Sequence, residues 1–292
     1  MLRVALSFDY DSPAGYRQSF HMRDFPANAD QQGSELLLDV MEKHRVRATF
    51  GIVGLAATDG EPPDHCSDQI REIASRGHEI ASHSMTHVYL PSLRTDALYQ
   101  ELEWSKKVLQ DCVGRPITGF IPPFNRPMHF PRAGAVSLSE MIGTAGRGRG
   151  RQSIESLLRA LNRSGFRWSR VSFSSKLAPL VRLFRRRQPP IPAQPFLLHE
   201  VVAIPLHCAG FGAAALSLVR RLSGRDLVLT LYGHPNQALS ANDQNARVLD
   251  RFLREIEPER ERGQISLNTM TEIDEGVRSG GSPPAPDNGG AL

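Results

Sequence analysis

The chain has 292 residues, 40% apolar and 23% charged, with a formal net charge of +4. That length supports one large α/β domain or two small ones, and no run approaches the eighteen or so consecutive apolar residues of a membrane-spanning helix. Three widely spaced cysteines, Cys66, Cys112 and Cys208, form neither a disulfide framework nor a CxxC zinc site.

The opening MLRVALSFDYDS is too short for a signal peptide and runs directly into acids. The expectation is a protein that begins at Met1 and stays in the cytoplasm. The charge is uneven, with twelve Lys or Arg between Arg147 and Arg187 opposed nearby only by Glu140 and Glu155. A solvated insertion explains this best. An anionic membrane surface or a phosphate-bearing substrate would also suit it, which leaves a peripheral membrane position open. Nothing in the stretch reads as a nucleic-acid motif.

In chain order, residues 2–8 (LRVALSF) read as a buried strand, 34–44 as a helix and 46–53 (VRATFGIV) as a strand. A helix at 67–76 ends before Gly77, and a short strand at 79–82 leads to His83. A long helix at 93–112 stops before Gly114 and Pro116. The second half reads as strand 117–121, helix 152–164, strand 168–173, strand 197–204, helix 212–222, strand 227–232, helix 243–255 and strand 264–268. Apolar strands alternating with helices imply a parallel sheet covered by helices, as a barrel or a doubly wound sheet. Either places ligands at the carboxyl ends of the strands. Residues 174–196, basic and proline-rich, read as an insertion or loop, and 279–292 (SGGSPPAPDNGGAL) as a disordered tail after a single domain spanning 1–278.

Two segments carry chemistry. SFDYD ends the first strand with Asp9 and Asp11 two residues apart, facing one side if strand geometry persists. Two such carboxylates repel unless a cation sits between them or one is protonated. GHEIASHSMTH ends another strand with His83 and His87, an i, i+4 pair expected on a helical turn. One carboxylate and two imidazoles leave room for water and substrate on a divalent cation. Zn2+ is the first choice, with Co2+, Ni2+, Fe2+ or Mn2+ as substitutes. A non-haem iron oxygenase would use the same three ligands but leaves Asp9 without a task.

SFDYD, HSMTH, FIPPFN and LYGHP, in this order, resemble the motifs of NodB-type polysaccharide deacetylases, the fourth carbohydrate esterase family, over most of residues 2–273. The resemblance implies a distorted, incomplete (β/α)7–8 barrel. It also implies Asp9 as catalytic base, Asp11, His83 and His87 as metal ligands, and the late His234 as the general acid. Pro123, Phe124, Asn125, Arg126 and Trp168 would line the substrate. Two departures stand out. Tyr10 separates aspartates that are usually adjacent, and Ile121 stands where the family has an arginine paired with the base. Arg126 is the nearest substitute in sequence. The implied activity is removal of an acetyl group from an N-acetylated sugar or glycan precursor, lipid-linked or phosphate-bearing if cytoplasmic. Hydrolysis of a non-sugar amide, or a carbohydrate-binding relative with weakened turnover, are the alternatives.

Overall fold

A computed structural model of the chain describes residues 1–20, 28–125, 152–172 and 193–280. Arg126, much of the basic stretch and nearly all of the residues expected as insertion and tail lie outside these.

The first strand, β1 (Leu2–Tyr10), is followed by helices α1 (Ser12–Phe20) and α2 (Ala29–Lys43), then β2 (Thr49–Ile52), α3 (Ser67–Ser75), β3 (Glu79–Ser82) and α4 (Thr95–Val113). The second half holds β4 (Gly119–Phe120), α5 (Ile154–Arg163), β5 (Trp168–Ser172), β6 (Phe196–Leu198), β7 (Val201–Leu206), β8 (Cys208–Ala209), α6 (Ala213–Leu222), β9 (Leu227–Gly233), α7 (Ala246–Glu261), β10 (Ile265–Asn268) and α8 (Met270–Ser279). One sheet runs β6-β7-β5-β4-β3-β2-β1-β9-β8, with β10 also paired to β1. Every pairing is parallel except β6–β7. The sheet curls into the expected incomplete barrel. Ahead of β6, the Gln194 side-chain amide ties the chain to β9. It accepts the Val228 N–H at 2.6 Å and donates to the Val228 carbonyl at 3.3 Å.

Alternation along the strands separates two cores. Leu2, Val4, Leu6, Phe8 and Tyr10 of β1 join the large cluster under the helices. Ala5 faces the barrel interior with Ala81, Ile121, Trp168, Val202, Ile204 and Val228, and α8 caps this second cluster with Met270, Ile273 and Val277. The interior is therefore apolar at its floor and turns polar toward the carboxyl ends of the strands, where Ser7, Asp9 and Arg170 meet.

Four expectations need correction. Helix α1 was not anticipated, although Ser12 followed by Pro13 is a cap and first-turn signature. Residues 197–204 are not one strand: β6 and β7 form a hairpin turning at His199 and Glu200, both with positive φ (52° and 62°), the conformation of a two-residue turn of the I′ kind. Helix α8 was missed despite its capping box, Thr269 with Glu272. Finally, α2 begins a turn earlier than the expected residue 34. No helix among the described residues is long and apolar enough to cross a membrane.

Candidate active site

The carboxyl ends of β1 and β3 and the start of the segment after β4 converge on one point. Asp9 is the penultimate residue of β1, and Asp11 follows the strand. His83 follows β3, and the backbone between His83 and His87 is a bend rather than the helical turn expected from the i, i+4 spacing. Ser84 (φ 63°) and His87 (φ 58°) are left-handed, a conformation that costs of order 1–3 kcal/mol at a non-glycine residue. Glu101 on α4 compensates by accepting the Met85 N–H (2.9 Å), the Thr86 N–H (3.0 Å) and the Thr86 hydroxyl (2.7 Å). The Ser84 hydroxyl accepts the His87 N–H at 3.0 Å. This bend, not a helix, aims both rings at one place.

Asp11, His83 and His87 offer three ligand atoms within 4.8 Å of one another. Each Nε2 lies 3.3 Å from Asp11 Oδ1, and all three residues are nearly inaccessible (1–4% exposed). His83 Nδ1–H donates to the Ile121 carbonyl at 2.7 Å, which fixes the tautomer and leaves the Nε2 lone pair toward Asp11. Burial pushes His87 below its ordinary pKa, favouring the neutral, ligating ring. Asp11 Oδ1 is buried with no hydrogen bond of good geometry. A buried carboxylate oxygen with no hydrogen bond, facing the His83 lone pair and the His87 ring, is an arrangement that a cation makes favourable. The donor set fits a divalent metal ion.

Asp9 has a different partner. Burial opposes its charge, but the Arg170 guanidinium outweighs this and holds the carboxyl below the usual carboxylate range. The contact is bidentate, Nη1 to Oδ1 at 2.7 Å and Nη2 to Oδ2 at 2.5 Å. Arg170 also donates to Ser7 Oγ (3.1 Å) and Asn125 Oδ1 (2.7 Å), and it sits 4.9 Å from the Tyr232 ring centroid. Sequence reasoning missed Arg170. The signal was a lone cation in the short strand WSRVS, buried throughout, inward in the same alternation as Trp168. Ile121, at the position where the family has its arginine, is fully buried on the barrel floor, within 3.0 Å of where a Cβ on Gly51 would lie.

The remaining candidates divide. His234 follows β9, and its Nδ1–H and backbone N–H both donate to Gln244 Oε1 (3.0 and 2.8 Å), which leaves Nε2 for the site. Phe124 (φ 58°) packs on His87 at 5.0 Å and on Tyr89 at 5.9 Å between ring centroids. Pro123 is buried and Asn125 holds Arg170. Trp168 is a correction: it is fully buried, its Nε1–H donates to Thr271 Oγ1 at 2.9 Å, and it covers Gly119 on the floor. It packs the core and does not line a groove.

Residues 3–129 match the family model described as polysaccharide deacetylase. A chitooligosaccharide deacetylase of Rhizobium leguminosarum bv. trifolii is 36% identical over 77 residues, 26% of this chain and 33% of the relative. A peptidoglycan-N-acetylglucosamine deacetylase of Listeria monocytogenes is 28% identical over 143 residues, 48% of this chain and 24% of the relative. The matches thus span a third or less of these relatives' length. Among solved structures, a putative polysaccharide deacetylase from Mycobacterium smegmatis superposes with a TM-score of 0.68 at 18% identity, covering 100% of this chain and 95% of that one. The Puue allantoinase superposes with a TM-score of 0.63 at 13% identity, covering 96% and 91%. At these identities the likeness is one of fold, and the fold is the distorted barrel expected from the motifs.

Proposed function

We propose that this chain, a relative of the polysaccharide deacetylases through residues 3–129, hydrolyses the acetyl amide of an N-acetylated sugar with a divalent cation held by Asp11, His83 and His87. The observation that carries the reading is the pairing of two buried acids with different partners. Asp11 faces two imidazoles, and Asp9 faces an arginine.

A divalent cation in this site supplies Lewis-acid chemistry, acidifying water and polarising an acyl carbonyl. Asp9 is kept ionised by Arg170 and sits beside the metal donors, so it takes the proton from the attacking water. Arg170 anchors Asp9 through both oxygens and fixes its orientation, the task that the family gives to an arginine at the Ile121 position. His234, with Gln244 holding its Nδ1–H, donates a proton from Nε2 to the departing nitrogen. Acetate and a free amine leave. The half-buried Phe124 and Tyr89 offer apolar ring surface beside His87 for the substrate.

The test is acetate release from N-acetylated sugars by the purified, metal-loaded protein. Asp9→Asn should retain the metal and lose turnover by about 100-fold or more, within the range of a general base. Normal deacetylation by that variant would remove Asp9 from the role. Cleavage of small non-sugar amides without acetate release from any sugar would replace the substrate assignment.

A further inference from the structure

A third buried acid stands beside the site and has no part in the chemistry above. Asp30, in the first turn of α2, is 1% exposed. Its Oδ1 accepts the Asn236 backbone N–H at 3.2 Å, across 206 positions of sequence. Asn236 comes two residues after His234. One side chain on α2 thus holds the segment just beyond the late histidine.

The next turn of α2 presses on the same place. A Cβ on Gly33 would come within 1.8 Å of the Pro235 carbonyl oxygen and 3.3 Å of Ala238 Cβ. Backbone of the 235–238 turn therefore lies directly against the helix, and glycine is what allows it. An acid is an expensive way to dock a helix. Burial and the nearby Asp11 charge both act against ionised Asp30, and its Oδ2 has no hydrogen bond among the described residues. An apolar residue would pack there without that cost. It could not accept the Asn236 N–H.

We propose that Asp30 is a positioning residue, which fixes the His234 turn against α2 and so sets the reach from the metal donors to the proton donor. The kinetic part of this rests on the acetyl-removing reading; the structural part does not. The experiment compares the metal-loaded wild type with Asp30→Ala, Asp30→Asn and Gly33→Ala. It reads kcat and KM for acetate release, metal per chain, and the NMR signals of the histidine rings.

Displacements of about 1 Å at a reacting group can cost on the order of 100-fold. Asp30→Ala should lower kcat about 10- to 100-fold, with KM within about twofold and the metal retained. The ring signals of His234 should move while those of His83 and His87 stay. Asp30→Asn keeps an oxygen for the Asn236 N–H and should recover most of the loss. Gly33→Ala should reproduce the same split between kcat and KM. Wild-type kcat and unmoved His234 signals in Asp30→Ala would overturn the proposal, as would loss of metal and KM together with kcat. If Asp30→Ala does not fold, Gly33→Ala decides, and unchanged kcat and His234 signals there overturn it. Absence of acetate release from the wild type would instead sink the functional reading, while the His234 signals still test the tie.

Discussion

At the scale of single residues, the proposed chemistry depends on keeping two neighbouring acids apart in role. Arg170 does this for Asp9. It is fully buried, so its charge is tolerable only because Asp9, Ser7 and Asn125 receive it. Removing one partner of such a pair leaves a bare buried charge, which costs about 3 to 5 kcal/mol. Arg170→Met should therefore lower the midpoint of urea unfolding and abolish acetate release. Arg170→Lys keeps the charge but cannot form the fork to both Asp9 oxygens. It should fold better than the methionine variant and still lose most of kcat. Equal activity of the lysine variant and wild type would mean that charge alone, without orientation, suffices at Asp9. Arg170 was findable in the sequence. A cation at an inward position of a buried strand needs an acid, and Asp9 had lost its expected partner to Ile121. The residues were read separately, and the pairing spans 161 positions, too far for local spacing to reveal.

At the scale of elements, the sequence was legible wherever one face is buried and the hydrophobic period is clear. Strands β1, β2, β3, β5 and β9 and helices α3 to α6 lie where the pattern placed them, within a few residues, and α7 runs on to Glu261 past its expected end at 255. Short elements set by capping or turn chemistry were missed. Helix α1 carries little apolar periodicity, α8 is announced only by Thr269 and Glu272, and the β6–β7 turn uses His199 and Glu200 in place of the usual Asn-Gly. The bend at 83–87 was misread because i, i+4 spacing suits a helix, whereas here Glu101, far along the chain, stabilises a left-handed path.

Element junctions also set a pH dependence. His78, at the entry to β3, accepts the Ala48 N–H on Nδ1 at 3.2 Å and stacks edge-on to Phe50. Burial, aided by the Arg76 and Arg47 charges, lowers its pKa from 6.5 to about 4. Above pH ~6.5 the ring is neutral in both folded and unfolded chains. As the pH falls below that, the unfolded chain takes up a proton that the folded one refuses, so stability is lost until the folded ring titrates near 4. The loss from this group is roughly 3 kcal/mol at most. Urea midpoints of wild type should fall between about pH 7 and 4.5, and His78→Gln should flatten part of that fall. Parallel curves for the two proteins would exclude His78 as a source.

At the scale of the whole molecule, the fold behaves as a cup. Trp168 and α8 close the floor, the Gln194 amide ties the segment before β6 to β9, and polar groups rise toward the rim. The proposed metal donors follow β1 and β3, so a bound ion would tie the ends of both strands and the bend after β3 to the folded state alone. Binding to the native state raises stability by RT ln(1 + [L]/Kd), about 2.7 kcal/mol at 100 times Kd. Adding Zn2+ to metal-free protein should raise the Tm by several degrees, and a chelator should reverse it. His87→Ala should remove the response without unfolding the chain.

The central claim is that Asp11, His83 and His87 share one divalent cation. Calorimetric titration of metal-free protein with Zn2+, in wild type, Asp11→Ala and His83→Ala, tests it most directly. The account predicts one tightly bound ion per wild-type chain and at least about a 100-fold weaker site in either variant. Tight binding that survives the loss of Asp11 or His83, or no tight site in the wild type, would contradict it.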